Sequence, residues 1–110
     1  IDTTYNAETP EELFFTFEDP HDCFNLEDTN NPFVQTLHLC LNRYYDSKSN
    51  IDKNSYWPYS HIYPSKTYSK KTMELVAEFQ RREGLHVDGF AGNETLRRLA
   101  EWVIQDNLSR

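Results

Sequence analysis

The amino-acid sequence predicts an all-α fold, a small bundle of three helices preceded by an acidic N-terminal extension. Apolar residues recur at helical spacing in three stretches, and each stretch begins at a residue that commonly caps a helix. Residues 68–79 and 91–102 also align with each other at a period of 23 residues. A repeat this short typically forms one supersecondary unit twice, with each copy burying its apolar face against the other.

The first helix is predicted for residues 32–45. Asn31 is a good N-cap, and Pro32 suits the first helical position. Its apolar face consists of Phe33, Val34, Leu37, Leu41, Tyr44 and Tyr45. His38 lies on or beside this face, where a histidine is more often a hydrogen-bonded core residue than a ligand.

The second helix is predicted for residues 69–83. Ser69 suits the N-cap, and the Thr72 hydroxyl can reach back to complete a shortened capping box. Gly84 suits the left-handed residue that follows a helix, and Leu85 can pack back on the last turn.

The third helix is predicted for residues 93–105, beginning at Gly92 or Asn93. The Asp88-Gly89 pair before it predicts a turn, because Asp bonds the following backbone and Gly adopts positive φ. The chain beyond residue 105 is expected to fray. The residues expected to be mostly buried are Val34, Leu37, Leu41, Val76, Phe79, Leu85, Val87, Leu96, Leu99 and Val103.

The connection of residues 46–67 is expected to lack regular structure and to open with the polar residues 46–50. Connections of this length are uncommon and are usually functional or disordered. This one interleaves aromatic residues with prolines, which is too aromatic for disorder. Such rings suit the faces of sugars and peptides, and they also suit a roof over a small helical core. Both alternatives stay open.

Residues 1–31 form a separate leader that has nine acidic and no basic residues, whereas the remaining residues 32–110 have a charge of +2. This asymmetry suggests a partner of its own or packing against the basic module, although a solvated connector is equally consistent. Residues 9–12 read as a capping box with proline at N1, whereas residues 13–17 also fit a strand. Because the leader is rich in phenylalanine, part of it is expected to dock on the module or a neighbour.

The two cysteines, Cys23 and Cys40, leave two alternatives. A disulfide would pin the leader to the first helix in an oxidising compartment. Buried free thiols are the favoured alternative, since cysteine is often a small core residue.

The second and third helices and the loop between them resemble the peptidoglycan-binding domain family, a three-helix module of bacterial and phage cell-wall enzymes. The resemblance covers roughly residues 33–103. Its motif residues here are Phe79-Gln80, Gly84-Leu85, Val87-Asp88-Gly89, Gly92, Thr95 and Leu99. The first repeat copy departs from the pattern by lacking the Asp-Gly turn, and residues 1–32 match none of it.

The sequence offers no enzymatic machinery. Its four histidines form no metal-ligand motif, and neither cysteine lies in a nucleophile signature, so no cofactor or metal is expected. The net charge of −7 disfavours nucleic-acid binding. No stretch approaches the roughly 18 apolar residues of a membrane span. Since the chain begins at Ile1, we expect a segment of a longer protein.

Two functions are consistent with these observations. The resemblance implies a non-catalytic module, secreted or in the cell envelope, that binds peptidoglycan and targets an attached enzyme or effector domain. Tethering of this kind raises the local concentration of the attached domain. The alternative is a protein-interaction or structural module of a secreted or phage protein that reuses the same fold.

The binding surface is predicted where the 46–67 connection meets the starts of the second and third helices. Helix starts present free N–H groups and partial positive charge, which suit the carboxylates of stem peptides. Lys70 and Lys71 occupy a first turn, where cations oppose the helix dipole. Four arginines, at positions 81, 82, 97 and 98, are expected to be solubilising instead. The expected ligand-binding residues are Tyr56, Trp57, Tyr59, Tyr63, Tyr68, Lys70, Lys71 and Asn93.

Overall fold

The described residues form three α-helices preceded by a short 3-10 helix of six residues. The computed structural model describes residues 9–15, 19, 22–51 and 62–109. Its helices are α1 (Pro32–Ile51), α2 (Lys70–Arg82) and α3 (Asn93–Leu108), and a 3-10 helix spans Pro10–Phe15. The described ranges contain no strand, only an isolated antiparallel bridge between Cys23 and Gly92. The prediction of an all-α three-helix fold is therefore confirmed.

The starts of α1 and α2 follow the predicted capping chemistry. Asn31 Oδ1 accepts a hydrogen bond from the backbone N–H of Phe33 at 2.9 Å. Ser69 and Thr72 form a reciprocal capping box in which each side chain accepts the other residue's backbone N–H. Two of the N–H groups that a helix start leaves unpaired are thereby satisfied at α2.

The end of α2 is a Schellman motif. Gly84 has a φ of +73°, in the left-handed region as predicted. The N–H of Leu85 donates to the carbonyl of Gln80 at 2.8 Å, and the N–H of Gly84 donates to the carbonyl of Arg81 at 3.4 Å. This pair of bonds turns the chain sharply after α2 and sends it back toward the start of the helix.

Two helices run further than predicted. The α1 helix continues to Ile51, so residues 46–50 are helical and not the opening of a loop. No glycine or proline follows Pro32 until Pro58, so nothing in the local sequence ends the helix earlier. The α3 helix continues to Leu108, and Arg43 of α1 holds this last part through an ion pair with Asp106 at 2.9 Å.

The segment of residues 62–68 explains why the connection before α2 is long. It runs back along α1 toward its start: Ile62 exchanges two hydrogen bonds with Asn42, and Lys66 accepts one from Asn31. A 20-residue helix is about 30 Å long, so the chain needs an extended return to start α2 beside the start of α1.

Eight of the ten residues that were predicted to be mostly buried are buried. The two exceptions are Leu85 and Val87. Leu85 is only partly buried against the core, and Val87 is 50% exposed because it lies in the loop between α2 and α3. The core also contains residues that the prediction omitted. The most buried of these are Leu13, Phe24, Tyr44, Tyr45, Tyr68, Leu75, Ala91 and Ala100.

Part of the leader docks on the helices, which confirms the expectation that part of it packs on the module. Residues 10–15 are helical, so the strand alternative for this stretch is wrong in its described part. Leu13 and Phe24 are buried in the core, and Arg97 of α3 lies 5.6 Å above the Phe14 ring. Leader and module therefore share one hydrophobic core, although the family resemblance does not extend to the leader.

Candidate functional site

The starts of the three α-helices lie at one end of the molecule. The N–H of Asn31, directly before α1, bonds the carbonyl of Lys66 at 2.8 Å, close to the start of α2. The Tyr68 hydroxyl accepts the N–H of Ala91, two residues before α3, at 3.1 Å. The unpaired N–H groups and partial positive charges of three helix starts are thus brought together.

Tyr68 joins the starts of α2 and α3 from inside the molecule. Its hydroxyl donates to the carbonyl of Gly89 at 2.7 Å, and its ring lies 6.4 Å from the rings of both Phe24 and Phe90. Only 1% of the residue is exposed. Its ring therefore supports this end of the fold and offers no face to a ligand, unlike the exposed ring that we expected from the sequence.

A second connection between α2 and α3 is made by Gln80. Its Oε1 accepts the N–H groups of Asp88 and Gly89 at 3.0 and 2.9 Å. Its Nε2 lies 3.0–3.1 Å from Asp88 Oδ1, the Phe90 carbonyl and Thr95 Oγ1. Four positions of the sequence motif thus meet in one hydrogen-bond network, which fixes the loop that leads into α3.

Three predicted ligand-binding residues are exposed in the described part of the chain. Tyr63 is 82% exposed, and Lys70 and Lys71 are exposed in the first turn of α2. The remaining aromatic residues of the prediction, Tyr56, Trp57 and Tyr59, lie outside the described residues.

The start of α3 forms the floor of a cleft of about 260 Å³. Leader, interhelical loop and helix all contribute to its wall. Asn93, the first residue of α3, lines the cleft, and its Oδ1 atom is buried without a hydrogen-bond partner in the described structure. The lining residues are Asp22, Cys23, Gln80, His86, Asp88, Phe90, Gly92, Asn93, Glu94 and Thr95.

The cleft is acidic, in contrast to the start of α2. Asp22, Asp88 and Glu94 all line it. Burial, together with the carboxylates of Asp88, Asp28 and Asp22, raises the pKa of the Cys23 thiol, which also lines the cleft. An anionic ligand would meet like charge here, so the start of α2 is the half of this end that suits a carboxylate. The cleft could not be predicted from the sequence, because the leader residues that complete it match no motif.

A buried histidine supports the surface from below. His38 of α1 is fully buried, as predicted for a hydrogen-bonded core residue. Its Nδ1 lies 2.9 Å from the carbonyl of Ser65, and its Nε2 lies 2.8 Å from Thr72 Oγ1. Burial lowers the pKa of this imidazole, and the bond to Ser65 raises it in part. A carbonyl only accepts, so Nδ1 carries the proton of the neutral ring.

The arginines of α2 and α3 are engaged within the chain. Arg81 and Arg82 both pair with Glu78, and Arg98 pairs with Glu83 at 3.1 Å. Burial raises the pKa of Glu78, but the hydrogen bonds and positive charges of the two α2 arginines together outweigh it and hold this pKa below its ordinary value. These contacts leave Lys70 and Lys71 as the basic pair closest to the helix starts.

Comparison with known proteins agrees with the geometry. Residues 30–99 match the model of the family "Putative peptidoglycan binding domain", which covers more than half of the 110 residues. Searches against curated proteins and against solved structures gave no significant match. Among the described helices, none has the length and apolar character needed to cross a bilayer. From its family match over residues 30–99 and its three-helix fold, the chain belongs to the peptidoglycan-binding domain family.

Proposed function

We propose that the chain is a non-catalytic module that binds peptidoglycan and so holds an attached enzyme or effector domain on the cell wall. The family match over residues 30–99 is the observation that supports this most strongly. A module of this kind works by raising the local concentration of the attached domain, and it needs no catalytic groups of its own. This function places the protein in the cell envelope or outside the cell.

The proposed binding surface is the end of the molecule where the helices start. Tyr63 offers an exposed ring beside α1, and Lys70 and Lys71 offer two cations at the start of α2. The predicted rings of residues 56, 57 and 59 precede Tyr63 in the chain and belong to the same proposal.

The two lysines are the strongest argument for this position. Cations in the first turn of a helix oppose its dipole at a cost of about 0.3–1 kcal/mol each. Within the described part of the chain, neither lysine forms an ion pair that would offset the cost. A carboxylate of a stem peptide would meet both the lysine charges and the unpaired N–H groups of the helix start.

Asn93 adds a hydrogen-bonding group on the α3 side. An acceptor that is buried without a partner costs about 1–3 kcal/mol, and an N–H or O–H donor would recover part of that. Amide and hydroxyl donors are abundant in the glycan and peptide of peptidoglycan. The two halves of the surface thus suit a ligand that has carboxylates and donors.

Pull-down on purified sacculi tests this surface. We expect the double variant Lys70→Ala/Lys71→Ala to bind at least tenfold more weakly than the parent, and Trp57→Ala/Tyr59→Ala to bind more weakly as well. The matched control is Arg81→Ala/Arg82→Ala, which also removes two cations from α2 but at its other end.

If both test variants fold and bind as the parent does, the surface lies elsewhere. If the control pair alone weakens binding, the arginines and not the lysines contact the wall. If the folded parent itself does not bind sacculi, a protein-interaction module becomes the better account.

A further inference from the structure

One buried ring connects two parts of the proposed surface. His38 reaches Ser65 in the segment of residues 62–68 with Nδ1, and it reaches Thr72 at the start of α2 with Nε2. The first contact holds the segment that presents Tyr63. The second contact joins the capping box from which α2 begins.

The hydrogen bonds around the ring suit its neutral form. Nδ1–H donates to the Ser65 carbonyl, so Nε2 accepts the hydroxyl proton of Thr72. Thr72 Oγ1 in turn accepts the N–H of Ser69 at 3.0 Å. A proton added to Nε2 would turn this acceptor into a donor and force the Thr72 hydroxyl proton toward Ser69 Oγ, also 3.0 Å away.

Among the described residues, no charged group bonds the ring and would balance its charge when it is protonated. Both ring nitrogens already face neutral oxygens, so no carboxylate bonds the imidazole. The ring is fully buried, and a buried charge without a partner is strongly unfavourable. Three elements meet at the ring: α1, the segment of residues 62–68 and the start of α2. On each of them, the charged residues closest in sequence to His38, Ser65 or Thr72 have exposed or partly exposed side chains. These residues are Arg43, Asp46, Lys66, Lys70, Lys71 and Glu74.

We propose that His38 is a positioning residue whose protonation breaks its contact with Thr72, separates the start of α2 from the segment of residues 62–68 and so weakens the binding of peptidoglycan. The inference rests on the proposed function, because it assigns a pH-dependent regulation to the same surface. The imidazolium keeps its Nδ1–H bond to Ser65, and Gln35 and Asn42 also hold this segment on α1. Release therefore means that Nε2 of His38 and Thr72 separate, because both would then be donors to each other. Water then reaches the ring and stabilises its charge.

The direction of the effect follows from linkage. The docked conformer keeps the pKa of His38 below its ordinary value, whereas the released conformer returns it toward about 6.5. Acidification below about pH 6.5 therefore favours release, and affinity falls by at most about tenfold for each pH unit. By reciprocity, a bound ligand that favours the docked conformer lowers the pKa of His38 further.

Two measurements on the full chain test the inference. Binding isotherms on purified sacculi between pH 8 and pH 5.5 should show affinity that is constant above about pH 6.5 and falls below it. NMR titration should show the backbone amides of Ser65 and Thr72 following the protonation of His38. Adding a soluble muropeptide digest should shift that titration to lower pH.

The outcomes separate the two proposals. A parent that binds with unchanged affinity down to pH 5.5 overturns the role of His38 and leaves the proposed function standing. A His38→Gln variant that is folded and keeps the parent's pH dependence overturns it as well. A parent that binds sacculi at no pH overturns the proposed function, and the regulation falls with it. The NMR titration of the free chain still shows whether protonation moves the segment.

Discussion

The side-chain amide of Gln80 both donates a hydrogen bond to Asp88 and accepts one from it. Gln80 Nε2 donates to Asp88 Oδ1 at 3.0 Å, and the N–H of Asp88 donates to Gln80 Oε1 at 3.0 Å. The same carboxylate oxygen accepts the N–H of Phe90 at 2.9 Å. The loop between α2 and α3 is thus tied to the body of α2 at a point where the side chain of Gln80 is buried.

Replacing Gln80 tests the importance of this tie. Gln80→Met keeps the volume but leaves the N–H groups of Asp88 and Gly89 without their acceptor, so we expect a loss of about 3 kcal/mol in the free energy of unfolding. Urea unfolding gives the value. Gln105→Met on the exposed face of α3 is the control and should change stability by less than about 0.5 kcal/mol. Equal effects at the two positions would show that the network contributes nothing.

The two left-handed glycines should differ in their tolerance of a side chain. Gly84 has a φ of +73° and open space around a Cβ, so Gly84→Ala should cost about 1–2 kcal/mol. Gly89 has a φ of +79°, and its Cβ would lie 2.6 Å from Met73 Cγ. We therefore expect Gly89→Ala to cost more, and Gly89→Val more still. Thermal unfolding in which Gly89→Ala matches Gly84→Ala would contradict the close approach to α2.

Phe79 and Val87 were both predicted to lie in the core, but only Phe79 does. Phe79 is fully buried, and its ring meets Tyr44 edge to face at a centroid distance of 4.8 Å. Phe79→Ala should cost about 3–5 kcal/mol. Val87→Ala should cost less than about 1 kcal/mol, because half of that residue is already exposed. A loss below about 1 kcal/mol for Phe79→Ala, measured by denaturant unfolding, would place its ring outside the core.

The two thiols should be slow to react in the folded protein. Burial raises the pKa of Cys40 to about 12, so almost none of it is thiolate at pH 8. The pKa of Cys23 is also raised, but this residue is only half-buried. We expect iodoacetamide to alkylate Cys23 before Cys40 in the native state, and both quickly after unfolding. Mass spectrometry over time measures this. Rapid native labelling of Cys40 would contradict its burial in the core.

The helix starts could be predicted because their causes are local. Asn31, Ser69 and the Asp-Gly turn act on atoms within three residues, and the structure confirms each of them. The helix ends are harder to predict than the starts. The last turns of α3 depend on Arg43, which lies more than sixty residues away in the sequence.

The site was harder to predict than the fold, for the same reason. The sequence suggested that Tyr68 lies near the starts of α2 and α3, which is where the structure places it. Its burial could not be read from the sequence, because Phe24 of the leader and Phe90 of the loop enclose it. The acidic cleft likewise needs Asp22, which no helical pattern connects to α3.

Co-sedimentation with purified sacculi, measured as a function of protein concentration, tests the central claim most directly. We expect saturable binding near neutral pH that soluble muropeptides compete away and that an equal amount of a folded, unrelated acidic protein does not show. Specific binding of this kind would establish the chain as a cell-wall binding module. A folded chain that stays in the supernatant at every concentration would contradict the account.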